Sequence, residues 1–171
     1  GDLLPIIVYI PAPFTTASQL RGISNFLKDT IRSPEIAHQL LDFSTIATEN
    51  IIINNYNGIY LTRTDGIQIL GNIINNNSNH GISLHQSNLN NLSGNELCYN
   101  HYGLFAQGSY YNTIERNIAN NNNEEGIYLF YSDSNEILGN NASYNSCGME
   151  LYLSDHNYIS RNIINNNIRG I

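Results

Sequence analysis

The sequence predicts an all-β solenoid, with short strands stacked coil upon coil along one axis. Three observations carry this expectation. From Asn50 onward the chain repeats itself every 22 or 23 residues. Apolar residues recur in fixed columns with strand-like alternation. Asparagine fills two further columns in every coil, and it dominates the composition: 30 of the 171 residues are Asn and 25 are Ile, while only 12% are charged.

Residues 1–49 differ in character. All four prolines (Pro5, Pro11, Pro13 and Pro34) lie there, and only Asn25 among the asparagines precedes Asn50. A boundary therefore falls between Glu49 and Asn50, separating an N-terminal segment, 1–49, from a repeat domain, 50–171. The segment opens extended, and then Leu20, Ile23, Leu27 and Ile31 form one stripe of a short helix. A second helix starts with Ser33 as N-cap, Pro34 at the first helical position and Glu35 in the positive first turn. Ile36, Leu40 and Leu41 give it an apolar face. Two such helices are too small to form a core of their own, so they must pack on something else.

The repeat units are 50–71, 72–94, 95–116, 117–139 and 140–161, followed by a partial unit to Ile171. Each opens with Asn and later carries a Gly followed by an aliphatic residue: Gly58-Ile59, Gly81-Ile82, Gly103-Leu104, Gly126-Ile127 and Gly148-Met149. From each Gly to the next opening Asn the spacing is always 14 residues, so the length variation is confined to the Asn-rich turn. Inward columns are expected at Ile59/Leu61 and their equivalents, at Ile69, Leu92, Ile114, Ile137 and Ile159, and at Ile52, Ile74, Leu97, Ala119, Ala142 and Ile164. Three such short stretches per unit mean three short strands per coil, about 4.8 Å from their neighbours above and below. One coil cannot bury its apolar side alone, whereas stacked coils bury a continuous column.

The Asn columns are Asn50, Asn72, Asn95, Asn117, Asn140, Asn162 and Asn55, Asn77, Asn100, Asn122, Asn145, Asn167. Asn90, Asn112, Asn135 and Asn157 make a third, and Thr64, Ser87, Ser109, Ser132 and Ser154 a hydroxyl column. Asparagine tolerates left-handed turns, and its amide both donates and accepts. Identical amides one strand apart can therefore bond to each other up the stack. These columns are expected to be structural.

The residues Asn117-Ile118, Gly126-Ile127, Leu129, Ser132, Asn135, Ile137 and Gly139-Asn140, with their equivalents in the other units, resemble the β-helix repeats of NosD-like proteins. These belong to the broader pectin-lyase-like group of carbohydrate-binding and sugar-hydrolase β-helices. The resemblance covers residues 50–171 and implies a right-handed parallel β-helix of about 5.5 coils. It also implies that the N-terminal helices cap the open end of the core. It is poorly specific for function, because the group holds lyases, hydrolases, epimerases, copper-delivery accessories and surface proteins.

Several outward positions could carry chemistry. Tyr60, Phe105, Tyr128, Phe130 and Tyr152 on the glycine strands are expected to stack on one another between neighbouring coils, stabilising the sheet, or to stack on sugar rings or on a protein partner. Ile51, Ile73, Ile118 and Ile163 follow the opening Asn and should point outward, forming a sticky edge for lateral packing. Polysaccharide cleavage wants paired acids. The best candidates are Asp133 and Asp155, in one column of adjacent coils, with Glu150 and His156 nearby. The same acids could bridge calcium, but Asp65 and Asn88 share the column and suit a turn anyway. No other cofactor is expected. Cys147 and Met149 are two apart, yet a chain with one methionine offers little to a soft copper site. Cys98 and Cys147 lie two coils apart, too far to form a disulfide.

The net charge of −7 disfavours nucleic acid as a partner, and no apolar run is long enough to span a membrane. The chain stops at Ile171 inside a strand with no polar cap. End-to-end or lateral association with itself, or continuation in a longer surface protein, is therefore expected. Together these features point to a non-catalytic extracellular or cell-surface module with a structural or adhesive role that contacts polysaccharide. A polysaccharide-processing enzyme is the alternative.

Overall fold

Three strands per coil require three parallel sheets, and the chain builds them. The structure, a computed structural model, describes residues 45–171. The two helices expected before Asn50 lie outside the described residues. One sheet has six three-residue strands in the order β1 (Ile46–Thr48), β4 (Gln68–Leu70), β7 (Asn91–Ser93), β9 (Thr113–Glu115), β11 (Glu136–Leu138) and β13 (Tyr158–Ser160). A second has five longer strands in the order β3 (Ile59–Thr62), β6 (His80–His85), β8 (Tyr102–Gln107), β10 (Glu125–Phe130) and β12 (Cys147–Tyr152). This long-strand sheet carries the glycines. The third face begins with β2 (Ile51–Ile53) on β5 (Ile73–Asn75) and continues as single parallel bridges from Ile73 through Glu96, Ile118 and Asn141 to Ile163. Every pairing is parallel, so each residue lies beside its equivalent one repeat away. The chain is thus a parallel β-solenoid, and among the described residues its first strand starts at Ile46, ahead of the change in composition at Asn50. That strand inserts Ala47 into the Ile69 column without needing an asparagine.

The predicted inward columns form the core. Ile69, Leu92, Ile114 and Ile137 are fully buried, as are Ile74, Leu97 and Ala119, and the long-strand pairs Ile82/Leu84 and Ile127/Leu129. Leu151, Ile159 and Ile164 are only partly buried. Each fully buried Leu or Ile contributes about 1.5–3 kcal/mol relative to an exposed side chain.

The corners explain the asparagines. Every ladder residue follows a residue in the left-handed region: Asn54, Asn76, Tyr99, Asn121, Tyr144 and Asn166 precede the second Asn column, with φ between 56° and 61°. The ladder asparagines themselves are not left-handed. Their role is to turn inward after the corner and supply hydrogen bonds. Asn95 donates its backbone N–H and its Nδ2 to Asn117 Oδ1, both at 2.9 Å, and Asn117 repeats this with Asn140 at 2.9 and 3.0 Å. The second column is joined throughout by backbone N–H to Oδ1 bonds, for example Asn100 to Asn122 at 2.9 Å. The hydroxyl column works differently from amide pairing. Each serine oxygen of the column accepts a backbone N–H from the preceding coil, as Ser109 Oγ does from Ser87 at 3.1 Å, and donates to the carbonyl two residues before it. A hydroxyl has one hydrogen, and the nearby carbonyl takes it.

The glycine landmark also has a steric cause. A Cβ on Gly103 would stand 2.5 Å from the carbonyl oxygen of Gly126 and 2.9 Å from Asn122 Nδ2. The backbone there passes directly against the next coil and its ladder amide.

Candidate functional site

The outward face of the long-strand sheet gathers most of the chemically interesting side chains. Strict alternation places Tyr60, Ser83, Phe105, Tyr128 and Glu150 in one outward column and Thr62, His85, Gln107, Phe130 and Tyr152 in another, and both are observed in register. A third column joins them that alternation does not predict: His80 beside Tyr102, Glu125 beside Cys147, and Arg169 bridged to Cys147. Counting by two from the inward aliphatic would turn the residue before each glycine inward. The glycine, pressed on the next coil, interrupts the alternation, and the preceding residue rejoins the outer face. The visible signal was that His80, Tyr102 and Glu125 each stand immediately before a glycine.

Aromatic rings form a continuous band along the axis. Tyr60 lies 5.0 Å from His85, His85 5.6 Å from Phe105, and Phe105 5.4 Å from Tyr128, measured between ring centroids. The band continues from Tyr128 to Phe130 at 6.2 Å and from Phe130 to Tyr152 at 5.6 Å. Alongside it, His80 stacks on Phe105 at 4.9 Å, and Tyr102 lies 6.3 Å from Tyr128. Such neighbours stabilise the sheet itself. Ser83 lies under this band fully buried, its Oγ without a hydrogen-bond partner. A shallow groove of about 360 Å³ opens at the Tyr60 end, lined by Thr62, Arg63, His85, Gln107 and Tyr131.

The two ends of the band differ electrically. Burial, reinforced by the neighbouring His85 and His101, lowers the His80 pKa to about 4, so its ring is uncharged at neutral pH. Burial lowers His85 as well. At the other end one guanidinium serves two acids: Arg169 Nη2 is 3.6 Å from Glu125 Oε1 and 3.3 Å from Glu150 Oε2. Glu125 is almost fully buried, and burial, then the Glu150 charge, raises its pKa. The Tyr102 and Tyr128 hydroxyls are also raised, by burial first and then by the surrounding glutamates.

The acids singled out in the sequence divide between two places. Asp133 and Asp155 are together at a corner, where Asp133 Oδ1 accepts the Asp155 backbone N–H at 2.7 Å. Asp65 accepts the Asn88 N–H in the same way at 2.6 Å, and Asn88 accepts that of Tyr110 at 2.8 Å. His156 is an exposed, left-handed corner residue. Glu150 stands instead on the long-strand sheet with Arg169. On the third face Ile51, Ile73, Ile118 and Ile163 all point outward, 69%, 39%, 45% and 53% exposed.

Soft metal donors do not converge among the described residues. Met149 is wholly inside the core. Cys98 and Cys147 are buried free thiols, and Cys147 Sγ donates to the Met149 carbonyl at 3.3 Å. No group of three or more His, Cys, Asp or Glu is placed to hold a metal ion among these residues. This donor set does not fit a bound copper. Nor is any helix among them long and apolar enough to cross a membrane.

Known proteins share this architecture. The solved structure of the periplasmic alginate epimerase AlgG matches with a TM-score of 0.61 at 23% identity, covering 69% of this chain and 33% of that one. Two mutant forms of AlgG match with a TM-score of 0.57 at 22% identity, covering 70% of this chain and 36% of theirs. The chain thus spans about a third of the AlgG length, and the likeness is one of fold. No curated protein sequence matches. The family model described as periplasmic copper-binding protein (NosD) matches residues 25–171, and the chain belongs to the NosD family.

Proposed function

We propose that this chain is a non-catalytic module of the cell envelope that holds a polysaccharide along the outer face of its long-strand sheet. The observation that carries the reading is the aromatic band from Tyr60 through Phe105, Tyr128 and Phe130 to Tyr152. Its rings are held by strands in register, so a chain molecule lying along the axis meets one aromatic surface after another. Faces of this kind suit the apolar side of a pyranose, with flanking polar groups left for its hydroxyls. Thr62 and Gln107, half-buried beside the band, supply such groups.

A location outside the cytoplasmic membrane, in the periplasm or at the cell surface, agrees with the family description and with the AlgG fold relative, named a periplasmic enzyme. What favours binding over cleavage is the employment of Asp133. Its Oδ1 caps a backbone N–H in the same way as Asp65, the part such a residue plays in a turn. The copper named in the family description enters no step of this reading.

Affinity electrophoresis through gels containing different polysaccharides tests the proposal. The Phe105→Ala/Tyr128→Ala double variant is expected to lose about tenfold in affinity for any polysaccharide that retards the parent, at ~0.5–1.5 kcal/mol per ring. Circular dichroism verifies its fold. Unchanged retardation of a folded double variant would remove the reading.

A further inference from the structure

The face is electrically one-sided, and that restricts what it can hold. At the Glu125 end Glu125 and Glu150 lie close enough to the Tyr102 and Tyr128 rings to raise both hydroxyls, and Glu124 adds to the effect on Tyr102. A single cation, Arg169, is shared between two of them, and its side chain is 61% exposed. At the opposite end His80 and His85 contribute no positive charge near neutrality because burial suppresses their protonation. The positive charge at that end is Arg63, whose Nε donates to the neutral Gln86 side chain at 3.1 Å. The whole chain carries −7. A polymer with a carboxylate on every sugar would meet repulsion at the Glu125 end of this surface.

An ammonium group meets the reverse. The face of a tyrosine ring attracts a cation through its quadrupole, and the carboxylates beside it add direct charge attraction. Tyr102 and Tyr128 lie 6.3 Å apart and only 28° from parallel, a stacked pair beside these acids. Resting on the reading of this face as a glycan surface, we propose that the Tyr102–Tyr128 end, with Glu124, Glu125 and Glu150, is a subsite for a protonated amino sugar. Hexosamine polymers with free amines, not polyuronates, are the polysaccharide class this chain holds. Arg169 then acts as a resident competitor. Its flexible guanidinium satisfies the acids when the face is empty and swings away when a sugar ammonium arrives.

That role gives the test its sign. Isothermal titration at mildly acidic pH compares a glucosamine hexamer, its fully N-acetylated form and a uronate hexamer on the parent chain and on Arg169→Gln, Glu150→Gln and Phe105→Ala. The glucosamine hexamer should bind, the acetylated form at least about fivefold more weakly, and the uronate hexamer weakest, since an exposed ion contact is worth up to about 1 kcal/mol. Arg169→Gln should tighten glucosamine binding about two- to fivefold, and Glu150→Gln should weaken it by a similar factor. If Arg169→Gln abolishes binding, or the uronate hexamer binds most tightly, the arginine is an anion site and the proposal falls. Equal affinity for the acetylated hexamer also overturns it, while leaving the aromatic reading intact. Polylysine that competes fully and ignores Phe105→Ala would assign the acids to a basic protein, again against the proposal. If no hexamer binds, the proposal falls. If the hexamers bind but Phe105→Ala changes none of them, the glycan reading fails with it.

Discussion

Replacing Asn117 by alanine removes the centre of the first amide ladder, and the cost can be worked from its contacts. Asn117 is 1% exposed. Its Oδ1 accepts the Asn95 N–H and Nδ2, both at 2.9 Å, and its Nδ2 donates to Leu92 O at 2.9 Å and Asn140 Oδ1 at 3.0 Å. Asn95 Nδ2 keeps the Ile69 carbonyl, and Asn140 Oδ1 keeps the Asn117 backbone N–H. The Asn95 N–H has no such reserve and becomes a buried donor without an acceptor. One stranded donor at about 1–3 kcal/mol, plus the weakened remainder at about 0.5–1.5 kcal/mol per bond, gives a loss of roughly 4 kcal/mol. Asn162 makes the same kinds of contact but is only partly buried. Water can replace the lost amide there, so Asn162→Ala should cost about half as much. Asn117→Asp keeps both acceptor contacts while losing both donors, and burial raises the new carboxyl's pKa. Its penalty therefore grows as pH rises and is partly relieved in acid. Urea unfolding followed by circular dichroism measures these differences. Because solenoids can open coil by coil, hydrogen exchange at the Asn95 and Asn117 amides provides the local readout. A loss below about 1 kcal/mol for Asn117→Ala, or one no larger than for Asn162→Ala, would refute the ladder argument.

Two further outcomes follow from the same structure. His80 is depressed to about 4 in the fold, so the stability its neutral ring contributes is fully present above its ordinary 6.5 and is lost as pH falls toward 4. His80→Phe should flatten that part of the melting-temperature profile, and an unchanged profile would assign the acid sensitivity elsewhere. The four outward isoleucines are expected to drive lateral association. Ile118→Lys should lower the mass seen by light scattering, and an equal mass for variant and parent would remove that expectation.

The columns of this solenoid were legible because a parallel stack in register turns a three-dimensional neighbour into a residue one repeat away in sequence. Ile69, Leu92, Ile114 and Ile137, or the twelve ladder asparagines, declare themselves by recurrence alone. What recurrence cannot convey is direction at an irregular point. Glycine contact with the next coil brings His80, Tyr102, Glu125 and Cys147 into an outer column against simple alternation, and Arg169 continues that column beside Cys147. The sequence therefore revealed the aromatic band but not the acids and arginine at its end. It grouped Glu150 with Asp133 and Asp155 because they are near in the chain, whereas the corner between them sends Glu150 to Arg169.

By itself, then, the sequence determined the repeat, the core and the amide ladders, since each depends on side-chain type at a fixed interval. Only the tertiary structure decided which charges share a face and which histidines stay neutral. Those properties depend on burial and on distances between coils, and no residue carries either of them alone.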